Sequence, residues 1–431
     1  MSVTIDPEEF SDFELHFSET LLAVLVGLQR KHGDIIKFFS TSRKNYTIIL
    51  ASPAAVRHVL QLNNRNYSKG AGIDQVKMLL GNGIMVSEGN FWKQQRRMIQ
   101  PSFHKEGIAS ILKIMETLNE SLLKKLKSAI DKKVAVNVNA LMSEVTLEIV
   151  LRSIFSDDLK KIKDPSGENP FDMLTKEVGR DLRFAMKFRS LRKFVIQLVN
   201  ERKATNRWPH DFLSMLAQST NKQTGLEMNE IELVDEVMTL IVAGHETTAS
   251  ALTWAWYMLA KNPVATEKLK EEAITILGGG HPTMETISSL KYSRMVVDEV
   301  LRLYPPGWLI TRKALQNDTI EDMEIPAGSD VLISPYLIHR NSSYWIDPEE
   351  FDPERFREDS RKLIDRFNFI PFSSGPRQCI GDTFALIEMQ VHLSTIIQHF
   401  SVELTEENVV GLDAGINLRP DRPIMMRFCH S

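Results

Sequence analysis

The stretch FSSGPRQCIG, Phe372–Gly381, holds one of only two cysteines in a chain of 431 residues. Cys379 stands in a loop of Gly, Ser and Pro, with Arg377 two residues before it. A helical pattern, DTFALIEMQVHLSTIIQHF, begins directly after Gly381. Gly375 and Gly381 permit close backbone approach and unusual φ. A helix N-terminus supplies free N–H groups and partial positive charge, and that setting favours thiolate over thiol. A thiolate is a soft metal ligand. One cysteine does not make a zinc or iron–sulfur site, which takes several protein ligands, but it suffices as the single proximal ligand of a haem. Two other readings compete. An isolated cysteine is most often a small buried hydrophobe. A nucleophilic cysteine wants a His partner, which the adjacent sequence does not supply. Cys429, in MRFCHS, has no comparable setting and reads as structural.

The composition around this loop is ordinary for a globular protein, with 43% hydrophobic and 25% charged residues. The formal charge of -4 leaves no basic excess, which argues against a nucleic-acid partner. Two cysteines cannot build a disulfide framework, which suits a reducing cytosol. The acidic start lacks the basic segment of a secretory signal. LLAVLVGL (Leu21–Leu28) is far shorter than the roughly 20 residues of a membrane span. VMTLIVAGHETTASALTWAWYMLA (Val237–Ala260) is long enough, but His245, Glu246, Thr247 and Thr248 sit in its middle, and a central ionisable group is costly in lipid. It is read as a long buried helix with a polar notch. No transmembrane anchor and a cytoplasmic location are expected.

Ile35–Leu50 reads as two short strands around a polar turn. Ser52 and Pro53 are start signals for a following helix. From Phe91 to about Leu277 the helical period dominates, and Gly278–Gly280 stops the run. Another helix ends at Pro305 and Pro306, after which β-prone pieces alternate with turns. The expected fold is mainly α with small β-sheets, in one domain over 1–431. Its parts are a β-rich lobe over roughly 30–70, a helical core over roughly 91–305 and the cysteine loop 372–381.

Three more motifs surround the loop. Glu299 and Arg302, in DEVLRLYPP, share one helix face. AGHETTA (Ala243–Ala249) is the notch: Ala243 and Gly244 are small, and Thr side chains can bond carbonyls one turn back and open the helix. Glu246 and Thr247 place an acid beside an alcohol in this notch. In FWKQQRRMIQPSF, Trp92 and Arg96 lie one turn apart on one face. Both are pure hydrogen-bond donors, suited to a carboxylate. Alone, these features also read as a surface ion pair, a kinked core helix and a solvated basic face.

The decapeptide resembles the haem-binding loop of the cytochrome P-450 family, matching at Phe372, Gly375, Arg377, Cys379 and Gly381. The other motifs follow in the family's order, and the resemblance covers nearly the whole chain. It implies a single domain with a long helix over haem b, and Cys379 as the axial thiolate. It implies that Glu246 and Thr247 manage protons, and that Trp92, Arg96, Arg377 and, with less certain alignment, Arg312 hold the haem propionates. Phe372, Gly381 and Ala243 would line the cofactor. Ala243, Gly307, Trp308 and Leu309 would touch substrate. Glu299 and Arg302 would form a buried triad with Arg355 of PERF (Pro353–Phe356).

The implied activity is monooxygenation: one atom of O2 enters a hydrophobic small molecule such as a fatty acid, terpenoid, steroid or polyketide. Electrons would come from NAD(P)H through an external reductase and a ferredoxin or flavodoxin, steered by Lys93, Arg96 and Arg97. A monomer is expected. The alternatives are a haem-thiolate peroxygenase or isomerase, a non-catalytic haem protein, and a haem-free cysteine hydrolase. A two-helix lid over the pocket is expected within Phe171–Thr205, which looks short for it.

Overall fold

The computed structural model describes residues 2–4, 20–40, 43–163, 169–176, 191–222, 224–406 and 409–430. Ten helices of eight residues or more are found among them. They are α1 Leu21–His32, α2 Ile73–Leu80, α3 Gly89–Ile99, α4 Lys105–Asp131 and α5 Val138–Phe155. After these come α6 Arg192–Thr205, α7 Glu230–Lys261, α8 Pro263–Leu277, α9 Lys291–Leu303 and α10 Asp382–Ile397. No helix of the described residues is long and apolar enough to cross a membrane.

The long helix α7 begins at a capping box. Asn229 Oδ1 accepts from the Glu232 amide, and Glu232 Oε2 accepts from the Asn229 amide. Its C-terminal half, Thr248–Leu259, is buried throughout. α7 packs along α5 and against α9 and α10, within the larger of two hydrophobic cores. A Cβ at Gly244 would lie 3.0 Å from Val150 Cγ2 of α5. The smallness of that residue therefore serves helix packing as well as any ligand.

The smaller core underlies a six-stranded sheet. Its strands are β1 Ser2–Thr4, β2 Ile35–Ser40, β3 Asn45–Leu50, β4 Tyr67–Lys69, β6 Ile310–Ala314 and β9 Asp330–Ile333, in the order β1-β2-β3-β9-β6-β4. The strand β5, Val136–Asn137, pairs with β13, Met425–His430, which also pairs with β10, Phe400–Leu404. Two hairpins complete the set: β7 Asp318–Ile320 with β8 Met323–Ile325, and β11 Leu412–Ala414 with β12 Leu418–Pro420. The mainly helical single domain with small sheets agrees with expectation. The helix expected after Gly280 begins at Lys291, because Thr286–Ser289 forms a separate 3-10 turn. Of the expected lid, the structure describes Phe171–Lys176 and α6; residues 177–190 lie outside the described residues.

Candidate active site

The cysteine loop is built by backbone. Gly375 has φ 73, and a Cβ there would lie 1.9 Å from the Leu60 carbonyl oxygen, so no other residue fits. Gly381 differs from expectation. Its φ is -94, and a Cβ would find only Phe103 at 3.9 Å. The Cys379 amide donates to the Phe372 carbonyl at 2.9 Å, closing the loop just before α10.

Cys379 is exposed to space on two sides. On one side lies a cavity of about 340 Å³. Its wall includes Phe372, Arg377 and Gly381 from the loop, Ala243 and Thr247 from α7, and Gly307 and Leu309 after α9. On the other side lies a cleft of about 540 Å³ lined by Trp92, Lys93, Arg96, Arg97, His104 and Asp382 among others. Burial pushes the Cys379 thiol up to about 11. That is opposite to the helix-terminus expectation. Desolvation outweighs the Gly381 amide and the Arg96 charge, which both pull the other way. A metal at the sulfur reverses this balance by displacing the proton.

Above the loop lies a corner of cations. Arg377 donates to the Ser87 carbonyl at 2.7 Å and to Glu88 Oε2 at 2.6 Å, and its guanidinium stacks 4.1 Å from the centre of the Trp92 ring. Arg312 is buried and bonds only the neighbouring Thr311 carbonyl among the described residues. Burial first, then repulsion from Arg377, lowers its guanidinium to about 10. Lys69, paired with Arg312 in register across β4 and β6, falls to about 7 through burial, Arg312 and Arg377. Three cations thus share one carboxylate, Glu88. The corner lacks negative charge. A haem brings two propionate carboxylates and an iron that takes a thiolate, so the residues present fit this group. Arg96 reaches the cleft side instead and donates to the Gln378 carbonyl at 2.8 Å. Lys69 was not legible as a site residue, since its role follows from cross-strand register and not from a motif.

Two expected residues stand elsewhere. Trp308 does not line the cavity. It is 1% exposed in the smaller core, with its indole N–H donating to the Gly415 carbonyl at 2.9 Å. The backbone turn at Gly307–Leu309 alternates sides, so Gly307 and Leu309 face the cavity and the indole between them points away. Glu246 and Thr247 also separate. Thr247 lines the cavity and donates to the Ala243 carbonyl at 2.8 Å. Glu246 faces a second cavity of about 510 Å³ on the other side of α7, where Asn417 Nδ2 donates to its Oε2 at 3.2 Å. Adjacent helical residues point about 100° apart, and here that step carries Glu246 to the other face.

Glu299, Arg302 and Arg355 meet away from the cavity. Arg302 grips Glu299 through two bonds of 2.7 and 2.8 Å, and Arg355 Nε lies 3.4 Å from Glu299 Oε1. Arg302 also donates to the carbonyls of His339, Pro348 and Glu350. This network ties α9 to the chain that leads into the cysteine loop.

Comparison with known proteins agrees with this geometry. The family described as Cytochrome P450 matches residues 11–426. The cyclooctatin synthase of Streptomyces melanosporofaciens is 33% identical over 85% of this chain and 82% of its own length. The cyclooctat-9-en-7-ol 5-monooxygenase of the same organism is 30% identical, with the same coverage. The chloroplastic carotene epsilon-monooxygenase of Arabidopsis thaliana is 31% identical over 88% of this chain and 77% of its own length. The chain therefore belongs to the cytochrome P450 family, as a haem-thiolate monooxygenase that takes O2, a small-molecule substrate and electrons from a redox partner.

Proposed function

We propose that this monooxygenase oxidises a neutral, largely hydrocarbon substrate of the terpenoid class. The observation that carries this reading is the wall of the cavity. Among the described residues its only charged side chain is Arg377, which a haem propionate would take up. A fatty acid would bring a carboxylate into a space with no free cation to meet it, at a desolvation cost of several kcal/mol (about). The relatives named for carotene and for a cyclooctatenol support the same class.

Cys379 is the proposed iron ligand, and Arg377, Arg312 and Lys69 the proposed propionate partners, with Arg96 and Trp92 closing the cleft side. The thiolate-ligated haem supplies the binding and reductive cleavage of O2. Thr247 Oγ1 presents a proton at the cavity wall. Glu246 collects protons from the cavity behind α7 and passes them toward Thr247. Phe372 and Leu309 keep water from the reacting carbon. Ferredoxin or flavodoxin is the proposed electron carrier, docking over Lys93, Arg96 and Arg97 at the cleft.

The test is an absorption titration. Reduced protein with carbon monoxide should show the strongly red-shifted Soret band of thiolate ligation, lost in Cys379→Ser. Geranylgeraniol, a neutral terpenoid alcohol, should shift the resting Soret band at micromolar concentration, and palmitate should not. Equal response to palmitate removes the terpenoid assignment.

A further inference from the structure

One wall segment of the cavity is held in an unusual way. Residues 81–88 connect α2 to α3 and carry Met85, which lines the cavity, and Ser87 and Glu88, which bond Arg377. Two consecutive carboxyl groups on α7 grip its backbone. Asp235 Oδ2 accepts from the Asn82 amide at 2.7 Å, and Glu236 Oε2 accepts from the Ile84 amide at 2.9 Å. Gly81, with φ 83, lies so close that a Cβ would sit 2.2 Å from Asp235 Oδ1. The other oxygen of Asp235 accepts from Arg192 of α6 at 2.5 Å. The wall segment, α6 and α7 therefore meet at two adjacent acids.

The two acids are not equivalent. Asp235 has a guanidinium partner. Glu236 is 0% exposed, and its Oε1 has no hydrogen-bond partner among the described residues. The charged groups that face it are Asp235 and Glu232 on its own helix, both acidic, with Arg192 of α6 engaged by Asp235. The wall segment offers it a main-chain amide and no cation. A carboxyl in this position is fully buried, held by a neutral donor and beside negative charge.

We propose that Asp235 and Glu236 form a clamp on the cavity wall, closed while Glu236 is protonated and released when it ionises. The proposal rests on the reading of this cavity as the substrate site. Asp235 supplies the fixed, ion-paired half. Glu236 supplies the titrating half, because opening the segment lets water reach its carboxylate and screen it from Asp235. Burial, with Asp235 and Glu232 adding to it, raises Glu236 to about 8 in the closed form, against its ordinary 4.5. Opening therefore releases about one proton between these values. The open population should rise about tenfold per pH unit across that window and level off above it.

The experiment is hydrogen exchange on the haem-loaded protein from about pH 5 to about pH 9, corrected for the intrinsic pH dependence of exchange. Peptides covering 81–88 should lose protection steeply up to about pH 8, while those from α4 should not. The association rate of carbon monoxide with the reduced protein, a neutral probe, should rise over the same range. Glu236→Gln should flatten both profiles. A flat wild-type profile overturns the clamp, and so does loss of protection in α4 in parallel with 81–88. That wild-type comparison remains decisive if Glu236→Gln does not accumulate. Failure of geranylgeraniol to bind would remove the substrate assignment and leave both of these readouts intact.

Discussion

The triad of Glu299, Arg302 and Arg355 and the corner of Lys69, Arg312 and Arg377 are both clusters of charge taken from water, and they are balanced differently. In the triad the buried carboxylate has two guanidinium neighbours, and Arg302 fills its remaining donors with three carbonyls. Burial still raises Glu299, but both arginines and the Asp352 amide pull it back. In the corner, three cations face the single carboxylate of Glu88, and two of them are pushed well below their ordinary values. A balanced cluster completes itself and serves the fold. An unbalanced one is completed from outside and serves a ligand.

The sharpest way to break this comparison is to remove one member from each cluster in the haem-free protein. Arg302→Ala leaves Glu299 buried beside Arg355 alone and strips three carbonyls of their donor. It should cost about 3–5 kcal/mol in urea unfolding, a large share of a typical domain's stability. Arg302→Lys should rescue little, since an ammonium cannot reproduce the paired bonds. Arg312→Met should do the opposite: equal or higher stability without haem, because a repelled cation is gone. Its loss should appear as about tenfold faster transfer of haem to apomyoglobin, the scale of one charge-assisted hydrogen bond. If Arg312→Met weakens the haem-free fold as Arg302→Ala does, the corner is structural and the distinction fails.

The same contrast has a pH signature. Lys69 is lowered from 10.5 to about 7 in the folded chain. Between those values the unfolded chain binds the extra proton, so this lysine makes the haem-free fold more stable as pH rises from about 7. The contribution is complete above about 10.5 and lost as pH falls to about 7. Buried thiol at Cys379 has the opposite sign above pH 9, so the readout is the difference between wild type and Lys69→Met. That difference should vanish in the haem-loaded protein, where a propionate holds the ammonium charged. Glu388 is a control of the third kind. It is fully buried in α10, with neither oxygen partnered among the described residues, and burial raises it well above its ordinary range. It stays neutral, so the fold loses stability as pH rises past the ordinary glutamate range. Glu388→Gln should remove that slope and be no less stable at neutral pH, as thermal unfolding at several pH values would report.

The sequence made the helical architecture, the cysteine loop and the members of the triad readable, because each depends on local spacing. Cys379, Gly375 and Arg377 lie within a few residues of one another, and Glu299 and Arg302 within one helical turn. What escaped depends on tertiary register. Lys69 joins Arg312 only through the pairing of β4 with β6. Asp235 and Glu236 look like ordinary acids in the first turns of a helix until Asn82 and Ile84 come down on them. Trp308 was misplaced because an aromatic beside a cavity-lining glycine suggests a wall, whereas the alternation of the chain turns its indole into the other core. The helix-terminus argument for a thiolate leaves out desolvation, which raises the thiol until a metal takes the proton's place.

Asn417 on the β11–β12 hairpin donates to Glu246 Oε2 at 3.2 Å. The hairpin is anchored independently of Asn417: Ser250 donates to the Leu418 carbonyl, and the Leu418 amide donates to Pro306 at the cavity wall. Asn417→Ala should therefore change stability by only about 1 kcal/mol, the smallest effect of this set. Glu246→Gln should raise the peroxide formed per electron consumed, and Asn417→Ala should do so less strongly while moving the pH at which coupling is lost. If Asn417→Ala leaves that pH where it is, the amide only packs the hairpin. If Glu246→Gln leaves peroxide yield unchanged, protons reach Thr247 by another route, and the cavity behind α7 has no part in the reaction.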